Sequence, residues 1–251
     1  MWGMITRELL STALAIVIGL GTAGCADRSG SLRNYFDNAE SRALIEAACR
    51  GDSAAVGKAV AAGAKPNELG RNGLPPLFWA MRFCDERGVE ALLGAGADPN
   101  AKYAVGGLNC GAVWGAARNP NPKILPLLLA HGGDPNMTCD GSSETPLLRA
   151  FAFGIEHEDM RNYQTLLKAG ADINQEQEGR TVATSAAALA RFEVVQDLLD
   201  RGYDNNLQHL TDIVELRQVY SSEQAEAKAS LLKRLGHRGF RPQRPGETTA
   251  R

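Results

Sequence analysis

The sequence predicts an all-α solenoid of five helical repeats followed by a degenerate C-terminal capping repeat. Five segments end in nearly the same seven residues, here called the repeat phrase: AAGAKPN, GAGADPN, AHGGDPN, KAGADIN and DRGYDNN. The phrase glycines recur at intervals of 33, 36, 38 and 32 residues, at Gly63, Gly96, Gly132, Gly170 and Gly202. A leucine pair precedes four of these glycines, and an alanine lies sixteen residues before four of them.

Each recurring residue type has a physical role in such a repeat. The phrase glycine follows the second helix, where a left-handed backbone costs little only for glycine. The alanine lets first helices pack closely, and the leucine pair faces the buried seam between helix layers. Aspartate or asparagine in the phrase can bond to nearby backbone and hold the turn. In the fourth repeat the alanine, Ala150, lies twenty residues before the glycine, which predicts an insertion of about four residues between its helices.

The composition allows one ordinary globular core or one repeat array of the same mass. The chain has 251 residues, 44% of them hydrophobic, and a formal net charge of -2. A disordered chain would carry fewer apolar residues and more net charge. The only long apolar stretch is at the N-terminus, which excludes a multi-span membrane protein. Near-neutral charge argues against nucleic acid as the main partner, because phosphate binding needs concentrated positive charge.

The repeats resemble the ankyrin repeat over residues 40–206, and the fourth copy contains that family's helix-opening signature as Thr145-Pro146-Leu147. The resemblance implies a stack with finger hairpin loops, a protein-binding role and no catalytic activity. Residues 207–236 are predicted to form the degenerate cap, since Gly236 follows Gly202 by 34 residues. The family's usual histidine after Thr-Pro-Leu is replaced, so we expect packing rather than hydrogen bonds to link the repeats. The replacements are Ile45, Phe78, Trp114, Leu148 and Thr184.

The N-terminus predicts export. Residues 1–24 have Arg7 before an apolar stretch that is short for a spanning helix and ends in small residues. Their junction with Cys25 resembles the lipobox of bacterial lipoproteins, which implies lipidation of Cys25 and anchoring in the periplasm. Ala26 favours the outer membrane. A plain cleaved signal and an uncleaved anchor remain as alternatives. Residues 26–39 are predicted to be a polar tether, and residues 237–251 a disordered tail.

Four cysteines remain beside Cys25, and an even number in an oxidising compartment suggests two disulfides with three possible connectivities. In the ankyrin-like alignment of repeats, Cys49 and Cys84 fall near the ends of the first helices of repeats one and two. Cys110 and Cys139 fall in successive fingers. This alignment predicts the pairs Cys49–Cys84 and Cys110–Cys139; four free, buried thiols are the alternative.

Neither a metal site nor a catalytic site is expected, and no cofactor is implied. The fourth-repeat insertion places His157 among Glu156, Glu158 and Asp159, which is more typical of a solvated acidic loop than of a metal site. No nucleophile elbow, phosphate-binding glycine loop or zinc-protease motif occurs. A hydrolase or metal-binding protein that uses this insertion is retained as the alternative function.

The resemblance implies that a partner binds the concave face through variable positions in the fingers and first helices. Five arginines among these positions predict an acidic surface on the partner, while Phe83 and Phe153 could instead pack between repeats. We expect a monomer that binds a protein at the envelope, as an immunity protein against a secreted effector or as support for an envelope enzyme or stress response. The predicted contact residues are Arg50, Arg71, Asn72, Leu74, Arg82, Phe83, Leu108, Arg118, Asn119, Glu144, Phe153, Gln177, Glu178 and Arg180.

Overall fold

The structure, a computed structural model, describes residues 28–105, 108–142 and 144–242. The predicted signal segment, Cys25 and most of the predicted tail lie outside these ranges. Within them, a short helix, α1 (Arg28–Tyr35), precedes a regular series of helix pairs. The pairs are α2 (Ala39–Cys49) with α3 (Ser53–Ala61), α4 (Pro76–Phe83) with α5 (Glu86–Gly94), α6 (Ala112–Ala116) with α7 (Ile124–Ala130), α8 (Pro146–His157) with α9 (Arg161–Lys168), α10 (Val182–Ala188) with α11 (Phe192–Asp200), and α12 (Leu207–Leu216) with α13 (Ser222–His237).

This arrangement confirms the all-α solenoid, with five repeats and a capping pair, α12 and α13. Two strands, β1 (Lys102–Val105) and β2 (Leu108–Gly111), form one antiparallel finger hairpin, and a 3-10 turn at Arg71–Gly73 lies in the preceding finger. Among the described residues, no helix is both long and apolar enough to cross a membrane.

Side chains at the helix starts explain where several helices begin. Asp52 and Asp85 accept hydrogen bonds from backbone N–H groups in the first turns of α3 and α5. Thr145 does the same for α8, where Pro146 occupies the first helical position and needs no N–H partner. Thr181 and Thr184 form a reciprocal capping box at the start of α10.

The core is the seam predicted from the small and branched residues of each repeat. The five repeat alanines are buried: Ala47, Ala80, Ala116, Ala150 and Ala186. One leucine of each pair is fully buried in the same cluster: Leu92, Leu128, Leu166 and Leu198. Because no single repeat could bury these side chains alone, the stack itself creates the core.

The phrase glycines have the left-handed backbone that the sequence predicted. Their φ angles are +106°, +91°, +86°, +80° and +96° at Gly63, Gly96, Gly132, Gly170 and Gly202. Each lies just after a second helix, at the turn into the next finger. Substitution by any residue with a Cβ atom would strain this turn.

The last asparagine of the repeat phrase joins each repeat to the next. Asn67 donates from Nδ2 to the carbonyl of Gly96 at 2.9 Å and accepts from the N–H of Asp98 at 2.8 Å. The accepting bond recurs along the stack at 2.7–2.9 Å, from Asp134, Asp172 and Asp204 to Asn100, Asn136 and Asn174. We call this series the asparagine ladder.

The phrase aspartates hold the turns from within. The side chains of Asp98, Asp134 and Asp172 each accept, at 2.8 Å, from the N–H two residues later. That residue is the ladder asparagine itself, so each aspartate orients the side chain that reaches the next repeat. The predicted bonding of phrase residues to nearby backbone is therefore confirmed.

The expectation that packing alone links the repeats was wrong. Besides the ladder, Trp114 donates from Nε1 to the carbonyl of Glu144 in the next repeat at 2.9 Å. On the opposite edge, Asn119 donates to the carbonyl of Met81, and Asn162 to the carbonyl of Asn119, both at 3.0 Å. These asparagines satisfy carbonyls at or just beyond the ends of first helices, which sequence periodicity does not reveal.

Both disulfides join the pairs of cysteines inferred from the alignment of repeats. Cys49 is bonded to Cys84, with Cα atoms 5.0 Å apart, and this bond links repeats one and two. Cys110 is bonded to Cys139, with Cα atoms 4.1 Å apart, and this bond links two successive fingers. The second pair is fully buried, in a cluster with Tyr103.

The two predicted unstructured flanks need correction where the structure describes them. Residues 26–39 were expected to be a tether, but they contain α1, and Leu32 of α1 and Phe36 directly after it are buried in a cluster with Trp79. The tail was expected to be disordered from residue 237, but α13 ends at His237 and Phe240 packs against the core. In both segments a few apolar side chains contact distant residues, which a local pattern cannot show.

The fourth-repeat insertion lengthens a helix. We expected extra residues between the two helices, and most of them extend α8, which runs for 12 residues to His157. The helix ends where Glu158 adopts a left-handed backbone, with φ at +55°. The first helix of this repeat therefore projects beyond its neighbours.

We predict that Asn100→Ala lowers the free energy of unfolding by about 1–2 kcal/mol, because two hydrogen bonds between repeats are lost. Urea denaturation followed by circular dichroism measures this change. Glu90→Ala, on an exposed position of α5, is the control and should change stability by less than about 0.5 kcal/mol. Equal free energies of unfolding for the two variants would contradict a contribution of the asparagine ladder to stability.

Candidate functional site

The candidate site is the concave face, which the fingers and the first helices form together. In the second finger, β1 and β2 pair Tyr103 with Cys110. A further bridge joins Asn109 to Asp140 in the next finger, where Lys102 also reaches the Asp140 carboxylate at 2.7 Å. The second and third fingers are thus connected to each other by main-chain bonds, an ion pair and a disulfide, which makes this part of the face a continuous surface.

Helix α1 covers part of this face at repeats one and two. The Phe36 ring meets Trp79 edge-on with centroids 6.1 Å apart, and Trp79 contacts Phe83 at 4.3 Å. Leu74 and Phe83 pack against the same cluster and are only partly exposed. Both were predicted to contact a partner; the structure instead gives them an intramolecular role beneath α1.

The predicted arginines fall into two groups, and Arg71 and Arg118 form the paired group. Arg71 donates from Nε to Asp37 at 3.1 Å, and this bond lowers the pKa of the Asp37 carboxyl. Arg118 bonds to Glu156 at 2.8 Å. The charge of each is therefore largely balanced within the chain, which leaves less of it for a partner.

The second group keeps its positive charge. Arg50, Arg82 and Arg180 are exposed, and none of them forms an ion pair within the described ranges. Arg82 lies with its guanidinium carbon 5.4 Å from the centre of the Phe83 ring, which restrains its side chain without neutralising it. These three residues are the best candidates for contact with an acidic surface.

The centre of the face contains an arginine that sequence reasoning missed. Arg149 places its guanidinium carbon 3.6 Å from the centre of the Trp114 ring and bonds to Glu144 at 3.0 Å. Burial lowers the pKa of Arg149 in spite of the nearby carboxylate. The sequence could have indicated Arg149, because it directly precedes the repeat alanine Ala150 and this position varies between repeats. The other repeats have Glu46, Trp79, Gly115 and Ser185 there.

The projecting end of α8 borders this centre. Phe153 is buried, which agrees with the alternative that it packs within the stack instead of contacting a partner. Its ring stacks on His157 with centroids 4.1 Å apart. Asp159 bonds to Arg161, which lowers the pKa of the Asp159 carboxyl to about 2. In the described ranges, no three His, Cys, Asp or Glu side chains converge in a way that could hold a metal ion.

The remaining predicted contact residues are dispersed. Leu108 packs against the Tyr103 cluster, and Asn119 links repeats two and three through its bond to Met81. Gln177 pairs with Arg180 through the backbone of the fourth finger, at whose tip Glu178 is exposed. The side chain of Asn72 is outside the described part of the structure. The face that remains open runs from the edge of α1 to the fourth finger.

Comparison with known proteins gives consistent matches. A family model for ankyrin repeats in three copies matches residues 113–209, and a single ankyrin-repeat model matches residues 72–103. Protein PhlB of Serratia liquefaciens is 32% identical over 146 residues, which cover 58% of this chain and 63% of that protein. The ankyrin repeat and KH domain-containing protein mask-1 of Caenorhabditis elegans is 34% identical over 91 residues, 36% of this chain and 3% of that protein. The chain thus spans less than two thirds of the length of either relative.

We predict that Arg149→Ala lowers the free energy of unfolding by about 1–3 kcal/mol, because Glu144 loses its partner and Trp114 its covering cation. Denaturation measures the loss, and a red shift of tryptophan emission would report the uncovered ring.

Arg161→Ala is the matched control, since it removes a more exposed arginine–aspartate pair from the same repeat. We expect it to cost less than about 1 kcal/mol. A larger effect from Arg161 than from Arg149 would contradict the central role given to the Arg149–Trp114 contact.

Proposed function

Because the chain belongs to the ankyrin-repeat proteins, we propose that it is a non-catalytic scaffold that binds a partner protein through its concave face at the bacterial envelope. The observation that carries this proposal is an open, connected face with unpaired arginines. Arg82 and Arg50 lie near the ends of neighbouring first helices, and Arg180 lies in the fourth finger. An acidic surface on the partner would complement these charges.

The stack is suited to rigid binding. The asparagine ladder and the two disulfides restrain the repeats before any partner arrives. A pre-ordered surface loses less conformational entropy on binding, so more of the contact energy remains as affinity. Trp114 is buried and Arg149 is largely buried, so their contact stiffens the centre of the face beneath the exposed arginines.

The proposed location is the periplasm, with a lipid anchor at Cys25. The signal-like residues 1–24 and the junction at Cys25 support export. The two disulfides also support it, because such bonds persist in oxidising compartments and are rare in the cytosol. With four of the five cysteines paired, Cys25 is the one that remains for lipidation.

Two biological roles fit this act of binding. In one, the protein masks a secreted effector as an immunity protein. In the other, it supports an envelope enzyme or stress response.

The hydrolase or metal-binding alternative is not favoured, because Glu156 and Asp159 of the insertion are bonded to arginines and His157 stacks on Phe153.

Replacing two of the three unpaired arginines should abolish partner capture. We predict that Arg50→Glu with Arg82→Glu removes the partner from affinity captures made with envelope extract, since the variant repels an acidic surface. Quantitative mass spectrometry of the captured proteins measures the loss.

The matched control is Lys58→Glu with Lys168→Glu, which makes the same change of charge on exposed positions of second helices. It should capture the partner as the unmodified protein does. Capture that survives the arginine reversals, or fails equally in both variants, would contradict binding through the concave face.

Anchoring is tested separately at Cys25. We predict that Cys25→Ser moves the protein from the membrane fraction to the soluble fraction, because the thiol that would carry the lipid is lost. Fractionation with immunoblotting measures this change. Retention of the variant in membranes would argue for an uncleaved N-terminal anchor.

A further inference from the structure

The interval between the proposed anchor and the folded stack is very short. Cys25 precedes the first residue of α1, Arg28, by three positions. Three residues can span at most about 11 Å even when fully extended. A lipid on Cys25 would therefore keep the start of α1 close to the bilayer surface.

Helix α1 is part of the stack and cannot serve as a flexible extension. Leu32 and Phe36 are 1% and 2% exposed, in one cluster with Ile45 and Trp79. The corner after α1 is held by Arg42, which donates to the carbonyls of Phe36 and Asp37 at 2.8 and 2.6 Å. The short covalent reach thus applies to repeats one and two themselves.

Exposed apolar side chains lie at the same end of the stack. Leu69 of the first finger is 56% exposed, and Tyr35 at the end of α1 is 37% exposed. The two segments touch, because a Cβ atom on Gly70 would come within 2.5 Å of the Tyr35 carbonyl. Arg33 is exposed on α1 as well. We call Arg33, Tyr35 and Leu69 the N-terminal edge.

We infer that the N-terminal edge rests against the lipid headgroups, so that the concave face opens beside the membrane and receives a partner that acts at the membrane surface. The inference rests on lipidation of Cys25 in the proposed function. Tyrosine, leucine and arginine are residue types that suit the boundary between headgroups and water. The length of the link and the exposed side chains are independent observations that agree on this edge.

The opposite end of the stack provides an internal reference. Tyr220, between α12 and α13 of the cap, is 84% exposed. Packed helices are separated by about 10 Å, which places the cap roughly 40 Å along the stack from the first finger. If the N-terminal edge lies against the headgroups, position 69 is therefore much closer to the lipid than position 220.

Energy transfer to labelled lipids tests this difference. The full-length lipidated protein is placed in phosphatidylethanolamine–phosphatidylglycerol vesicles that carry an acceptor dye on their headgroups. A donor dye is attached through an unnatural amino acid at Leu69 in one sample and at Tyr220 in another. We expect severalfold more efficient transfer from position 69 than from position 220.

A spacer variant isolates the length of the link. Twenty Gly-Ser residues inserted between Ala26 and Asp27 would add a mean end-to-end distance of about 25 Å. We expect vesicle binding to persist while transfer from position 69 falls toward the value at position 220. Cys25→Ser should abolish binding to the vesicles.

The possible failures are distinguishable. Equal transfer from the two positions in the vesicle-bound protein overturns the apposition while the anchor stands. A difference in transfer that survives the spacer overturns the short link as its cause. Failure of the unmodified protein to bind vesicles overturns both the anchor and the inference. Capture of the partner from envelope extract does not depend on either result, so the binding role is tested apart from them.

Discussion

The asparagine ladder is the interaction on which the rest of the structure depends. An isolated repeat has too little apolar surface to fold, so stability requires that each repeat dock on the next in one register. Asn67 defines that register by bonding to the backbone of the following phrase through both its amide and its carbonyl. The preceding phrase glycine allows the turn, and the phrase aspartate orients the next asparagine. Three residue types in one short phrase thus specify how helices more than thirty residues apart pack.

The regular stack makes the departures from regularity informative. The segment of α1 and Phe36 covers Trp79 and partly covers Phe83 and Leu74 at the N-terminal end of the concave face. The extended α8 brings Glu156 within bonding distance of Arg118 at its centre. Between them the face keeps its unpaired arginines and the fixed Arg149–Trp114 pair. The binding surface is therefore narrower than a list of variable positions suggests. Its charge depends on which arginines form ion pairs with carboxylates of the same chain.

Repetition explains why much of the fold was predictable. The helix pairs, the left-handed glycines, the buried alanines and the pairing of Cys49 with Cys84 all follow from aligning one repeat on another, because equivalent residues occupy equivalent environments. The binding site was less predictable. Of the five predicted arginines, Arg71 and Arg118 are paired within the chain, and Arg149 was missed. Each of these outcomes depends on a partner in another segment: Asp37, Glu156 and Trp114, respectively.

By itself, the sequence determined the architecture: an all-α stack of five repeats with a cap, its turns and its seam. It could do so because the forces involved are local or recur at a fixed interval, such as the glycine turn and the close approach allowed by alanine. Only the tertiary structure decided that α1 belongs to the stack, since Leu32 and Phe36 stand alone in a polar segment and their burial depends on Trp79, more than forty residues later. The same is true of the free and paired arginines, because the charge that a surface presents depends on contacts between segments that no local pattern encodes.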